Sequence, residues 1–517
     1  MRKGIRRIWK QIPQSERPPY FHPGEITVTR YWSVIGLALS IGCGPAAPPV
    51  AAPNAAAARV ERVLTGLRPD IAIEGEAPVR WALAERMAFH KVPGLSVAVI
   101  DSGRIAWARG FGVKAMGGTD SVTTETLFQA GSISKPTFAL GVMRLVQEGR
   151  LNLDEDVNLK LTSWKVPENR FTAKEKVTLR RILSHSAGLT VHGFPGYQAG
   201  TPVPTVVQLL NGTKPANTAA VRVDTFPGAI SRYSGGGTTV AQLLTTDVTG
   251  TPFPQLMQEL VLGPAGMTRS TYEQPLPPAL APSAATGTYG DGRSVPGQFH
   301  TYPEMAAAGL WTTATDLATL AIELQQTWAG RSEKVVSKAT LTEMFTVQKE
   351  PFGIGYQIEG TGADKEFQHN GADEGFQAVF IAFAERGQGF IAMANSDNGI
   401  QLMNELTASV ADEYGWPGRQ PRLKTVVARD PATLGEFAGE YSMPGGAKPV
   451  PGTVTVEAGK LFFEVPGVGL TKTELLADSD STFFARSSGM MVRFEKDPAG
   501  KVSGITVAGR IRGKKVK

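Results

Sequence analysis

A chain of 517 residues exceeds one ordinary core and implies two or three folded units, and its apolar share of 42% excludes collagen-like, coiled-coil and disordered polymers. The formal charge of +6 does not mark a nucleic-acid binder: seven basic and two acidic side chains within residues 1–42 carry most of it, and the run Arg510, Arg512, Lys514, Lys515 and Lys517 reads as a solvated terminus. The single cysteine, Cys43, excludes intramolecular disulfides and metal sites built from clustered thiolates.

Residues 31–42 form an apolar run, too short to span a bilayer but suited to the hydrophobic region of a signal peptide, with small Gly42 just before Cys43. The run resembles a bacterial lipoprotein signal. That resemblance implies an exported protein whose Cys43 becomes the acylated first residue and holds the chain to a membrane, facing the periplasm or cell exterior. Translation from Val28 would give a compact n-region carrying Arg30. Residues 1–42 are therefore set apart as a leader. Residues 43–78 read as a linker, because 44–58 are Pro- and Ala-rich and low in complexity.

Globular patterning begins near Val79. A helical stretch over 81–91 precedes a buried strand over 95–100, and Asp101-Ser-Gly-Arg104 turns it into a partner strand over 105–112. Further helices are expected over 137–148, 179–183, 238–248 and 316–326, and strands over 377–383 and 389–395. Helices thus lie between strands that open and close the unit, which implies an α+β sandwich, an antiparallel sheet covered by helices, over 79–417. A connector over 418–431 follows. Residues 432–517 show period-two alternation, as in Leu461, Phe463 and Val465, and read as a small antiparallel β-domain.

Three elements carry chemistry. In Phe128-Gln-Ala-Gly-Ser132-Ile-Ser-Lys135, the serine and lysine stand three apart at a helix start and share a face. A serine hydroxyl becomes a nucleophile when a base within reach takes its proton, and lysine serves as that base once its pKa falls toward neutrality. The helix N-terminus favours a neutral lysine. In Phe226-Pro-Gly-Ala-Ile-Ser-Arg-Tyr233-Ser-Gly235-Gly-Gly, a glycine-rich loop presents one tyrosine, which can shuttle protons if neighbouring cations lower its pKa. In Phe367-Gln-His369-Asn-Gly371-Ala372, a glycine in a strand allows close approach of a ligand, and the following N–H can point into a site.

In this order and at these separations the elements resemble the S-x-x-K, Y-x-N and K-T-G triplet of penicillin-recognising serine hydrolases. The likeness is to the branch with class C β-lactamases, D-alanyl-D-alanine carboxypeptidases, D-aminopeptidases and related carboxylesterases. It is supported by His90-Lys-Val-Pro-Gly-Leu-Ser-Val, by Leu183-Ser-His185-Ser186-Ala-Gly-Leu and by Ala307-Ala-Gly-Leu-Trp-Thr-Thr-Ala-Thr-Asp. The resemblance implies a β-lactamase/transpeptidase-like domain with Ser132, Lys135 and Tyr233 catalytic and no cofactor. Ser132, Ala372, His369, Gly371 and Gly235 would surround the oxyanion and substrate. Residues 432–517 resemble the lipocalin-like appendage of some members.

Gly235 replaces the Asn of the tyrosine motif, and His369 replaces a fixed cation that would grip the carboxylate of a β-lactam or D-Ala terminus. H-x-G there is common among esterases and aminopeptidases of the family. The leading expectation is a carboxylesterase or D-amino-acid-directed peptidase acting on a small ester, amide or peptide. The alternatives are a β-lactamase or D-alanyl-D-alanine carboxypeptidase, and a non-catalytic sensor, against which the intact Ser132, Lys135 and Tyr233 argue. His185, His192 and His300 show no metal-ligand spacing, so no metal is expected, and there is no G-x-S-x-G elbow of an α/β-hydrolase.

Overall fold

The computed structural model describes residues 53–444, 448–468 and 470–516. The leader and Cys43 lie outside the described residues. Six antiparallel strands form the central sheet in the order 104–112, 94–101, 389–394, 376–383, 366–373 and 357–359. The strands over 94–101 and 389–394, which are central, are almost wholly buried, as expected for a sheet covered on both faces.

The two faces carry separate cores. On one, helices Ser134–Gln147, Gly235–Thr249 and Ala314–Trp328 pack with the loops between them around Phe138, Trp311 and Phe376. On the other, helices Pro53–Thr65, Leu83–His90 and Gly399–Tyr414 pack around Leu95, Val97, Phe390 and Leu406.

The first of these helices corrects the expected linker over 43–78. Alanine favours helix as readily as it fills a tether, and Val60, Val63 and Leu67 recur on one side and are buried. Arg59 and Arg62 then pair with Glu413. Burial of Val63 and Leu67 contributes about 1.5–3 kcal/mol each. The connector over 418–431 is likewise built into the fold, because strand Arg422–Lys424 pairs in parallel with strand Ile71–Ile73.

The C-terminal segment is a closed barrel of eight antiparallel strands, from Gly439–Met443 to Ile511–Lys515, sealed where Tyr441 and Ser442 pair with Lys515 and Lys514. Its interior is filled by Phe437, Tyr441, Phe463, Phe483 and Phe494. Arg486 binds Glu76 and Lys424 binds Asp478, fixing the barrel to the segments that lead into and out of the sheet domain. A cavity of about 900 Å³ lies at this junction, between Trp81, Phe89, Glu405, Lys472 and Arg486. Neither Ser132 nor Tyr233 lines it. Among the described residues, no helix is long and apolar enough to cross a membrane.

Candidate active site

Strand Phe128–Gln129 leads into a tight 3-10 turn, Gly131–Ile133, and then into helix Ser134–Gln147. Ser132 therefore lies in the turn just before the helix, half-buried. Gly131 has φ +51°, which favours glycine, and a side chain there would strike the Ala372 backbone 2.5 Å away. The turn is fixed by Ser134, whose hydroxyl donates to Gly131 O (2.6 Å) and accepts from Leu310 N–H (3.0 Å). Tyr272 donates to Ser134 O at 2.7 Å.

Lys135 is 4% exposed, and its Nζ lies 2.9 Å from Ser132 Oγ and 2.7 Å from Ala307 O. Burial lowers its pKa to about 7, against the opposing charge of Asp373. Loss of solvation is thus the chief cause of its tendency to neutrality. The Ala307 carbonyl holds the lysine nitrogen from a second side, a contact between segments 172 residues apart.

Tyr233 precedes the helix Gly235–Thr249, whose N-terminus is capped by the Ser234 hydroxyl accepting from Gly237 N–H (2.9 Å). The tyrosine ring packs on His185 (centroids 4.2 Å apart), and Lys135 Nζ lies 4.8 Å from its centroid. The Tyr233 hydroxyl is buried and has no hydrogen bond of ordinary geometry, although Ser132 is near enough to favour its anion. Burial outweighs that influence and raises the phenol well above its usual range. A tyrosine lowered by neighbouring cations is therefore not what the site contains. It contains a neutral phenol, able to donate.

His185 sets this ring in place. Its Nδ1 accepts from Ser234 N–H (3.2 Å), so the proton sits on Nε2, and burial holds the imidazole neutral. Gly235 contributes space rather than a contact to substrate. A Cβ there would meet the Phe194 ring at 3.0 Å and His192 O at 3.2 Å, so these two residues fill the room that an Asn side chain would need.

His369, Gly371 and Asp373 alternate along strand Glu366–Asp373 and face the same way, all three buried. His369 Nδ1–H donates to Asn370 O (2.6 Å), leaving Nε2 a bare, buried acceptor. Burial, followed by the charge of Lys135, lowers its pKa to about 4. His369 is thus neutral at physiological pH. A Cβ on Gly371 would overlap Ala130 O and come within 3.3 Å of Ser132 N. Glycine here lets the strand close on the serine turn, bringing the Ala372 main-chain nitrogen up to Gly131 and the Ser132 main-chain nitrogen up to Gly371.

A family model described as Beta-lactamase matches residues 79–414. The chain belongs to the β-lactamase family. This β-lactamase-family chain is 21% identical over 429 residues to penicillin-binding protein 4* of Bacillus subtilis (strain 168), covering 78% of the chain and 90% of that relative. It is 24% identical over 393 residues to penicillin-binding protein 4 of Amycolatopsis lactamdurans, covering 69% and 95%. Among solved structures, the octameric penicillin-binding protein homologue from Pyrococcus abyssi shares its fold, with a TM-score of 0.57 at 23% identity, covering 84% of this chain and 98% of that one.

The sequence brings Ser132, Lys135, Tyr233, His369, Gly371 and Ala372 to notice, and the fold gathers all six. It also adds three features that sequence reasoning missed. The Ala307 carbonyl is one. The others are Glu304 and Asp373, buried carboxyls close to this centre. Asp373 could have been read from its register with His369 and Gly371; Glu304 leaves no local signal.

Proposed function

We propose that the chain is a serine hydrolase that works through an acyl-enzyme on Ser132, and that it is a carboxylesterase or D-amino-acid-directed peptidase. The observation that carries the reading is the 2.9 Å approach of buried Lys135 Nζ to Ser132 Oγ. Neutral Lys135 takes the proton of Ser132 as its oxygen attacks an ester or amide carbonyl. The oxyanion rests between the N–H groups of Ser132 and Ala372. Tyr233, a neutral phenol, passes a proton to the leaving group and is reprotonated from Lys135. Water then repeats the sequence on the acyl-enzyme and regenerates Ser132.

Neutral His369 supports an esterase or aminopeptidase over a penicillinase, because it offers a substrate carboxylate no fixed positive charge. A second reading, D-alanyl-D-alanine carboxypeptidase or β-lactamase, is favoured by the penicillin-binding relatives. Hydrolysis of p-nitrophenyl butyrate, nitrocefin and a D-Ala-D-Ala peptide by the purified protein separates the two. Turnover of the ester without the other two is expected. Preferential turnover of nitrocefin or the D-Ala-D-Ala peptide would establish the second reading, and an acyl burst without turnover would point to a sensor.

The chain is further proposed to be exported and lipid-anchored through Cys43. Metabolic labelling with palmitate should mark the wild type and not Cys43→Ala; equal labelling of both would refute the anchor.

A further inference from the structure

Among the described residues, the rings of His90, His185, His300 and His369 each make a hydrogen bond, whereas neither ring nitrogen of His192 has a partner. His192 is also exposed, and its ring packs on that of Tyr233 with centroids 5.0 Å apart. Partial burial, then the charge of Lys135, lowers its pKa, so the imidazole is neutral at physiological pH and offers one donor and one acceptor.

The backbone that presents this ring is strained. Val191 has φ +64°, in the left-handed region that a β-branched side chain rarely adopts. The turn is pinned there because Val191 O and His192 O accept from Gly236 and Gly235 N–H, at 3.0 Å each, at the start of helix Gly235–Thr249. Such strain persists where the surrounding structure enforces it, and it concentrates at functional sites.

The same turn accounts for Gly235. A Cβ there would come within 3.2 Å of His192 O, so the loop that carries His192 takes up room that the amide of the tyrosine motif would need. The polar side chain that this loop lays against Tyr233 is the imidazole. His192 and His369 both pack on Tyr233, at 5.0 and 6.0 Å, and make no ring contact with one another, so they flank the tyrosine on different sides. His369 stands where a cation would grip the carboxylate of a departing D-Ala terminus and so marks the leaving-group end. His192 therefore faces the acyl end.

We propose that His192 is a specificity-determining residue that hydrogen-bonds an uncharged polar atom on the acyl part of the substrate, in place of the absent amide. Its N–H meets an ether or carbonyl oxygen, and its bare nitrogen meets an N–H or O–H.

The proposal rests on acylation of Ser132. Its test compares kcat/KM for p-nitrophenyl methoxyacetate and p-nitrophenyl butyrate, which share a leaving group and a chain length and differ by an ether oxygen in place of one methylene. Their difference in intrinsic reactivity cancels when the ratio is compared between proteins. In His192→Phe, which keeps a ring on Tyr233 but has no donor, the ratio of methoxyacetate to butyrate should fall about three- to tenfold from the wild type, as for a lost neutral hydrogen bond. His192→Gln, which retains a donor, should keep the ratio within about twofold. An unchanged ratio in His192→Phe, or an equal fall in both variants, would overturn the proposal.

If a variant fails to fold, a measurement on the wild type decides. Diethyl pyrocarbonate should modify exposed His192, and mass spectrometry should show that reaction slowed when Ser132 carries a fluorophosphonate adduct. Equal rates would put His192 out of reach of the acyl group and overturn the proposal. Labelling of Ser132 with an unmoved ratio would remove the role of His192 alone. Absence of labelling would remove the acyl-enzyme reading, and that role with it.

Discussion

The side-chain nitrogen of Lys135 donates to the main-chain carbonyl of Ala307 at 2.7 Å. One N–H of a neutral amine is thereby fixed, and its lone pair is free to face Ser132 Oγ, 2.9 Å away. Only the neutral lysine can accept the serine proton, and its pKa is lowered to about 7 by burial. The value of kcat/KM for p-nitrophenyl butyrate should therefore rise about tenfold between pH 6 and pH 8, following the unprotonated fraction. His369 is already neutral throughout that range and adds no second limb. A flat or falling profile would refute Lys135 as the base.

Gly371 leaves no room for a side chain between the strand and the serine turn. Gly371→Ala should press on Ala130 O and displace the Ser132 and Ala372 N–H groups. Loss of one oxyanion donor costs about 2.7–4 kcal/mol where measured, so kcat should fall by about two to three orders of magnitude. Steady-state kinetics would show it, and circular dichroism should show the sheet retained.

His369→Lys places a cation where the neutral imidazole stands. Acylation by a carboxylate-bearing β-lactam, followed with a fluorescent penicillin, should increase by about tenfold or more, consistent with a charge-assisted contact. Unchanged labelling would show that another feature, such as Phe194 in the room beside Gly235, sets the specificity.

Away from the site, Glu405 accepts from Arg86 through two bonds of 2.7 and 2.6 Å and pairs with His90 at 3.0 Å, and Arg86 and Glu405 are both buried. Removing one partner of a buried pair costs about 3–5 kcal/mol, so Glu405→Ala should lower stability by that amount in urea unfolding. The paired carboxyl is held below its ordinary value. Its contribution is therefore present at neutral pH and is lost as pH falls through the carboxylate range, and Glu405→Ala should flatten the acid limb of the stability curve.

The candidate site residues were legible because each sits in a short phrase whose spacing reflects local geometry. Ser132 and Lys135 share one turn, and His369 and Gly371 share one strand face. Glu304 was not legible, because its influence on Asp373 acts between positions 69 residues apart in the chain, and no local pattern encodes that. The tyrosine's protonation state was left conditional on neighbouring cations for a similar reason. Burial, a property of the whole fold, decides it. The Ala-rich segment before Val79 misled because the same residues suit a tether and a helix, and only the buried side of Val60, Val63 and Leu67 separates the two. The alternation in the C-terminal segment announced strands, whereas closure of the barrel depends on pairing between its first and last strands.

The identity of the nucleophile is open to one direct experiment: reaction of the purified wild type and Ser132→Ala with a fluorophosphonate, followed by mass spectrometry of the modified peptide. A single adduct on Ser132 is expected in the wild type, with neither adduct nor p-nitrophenyl butyrate turnover in the variant. An adduct on another serine, or turnover retained by Ser132→Ala, would refute Ser132 as the nucleophile.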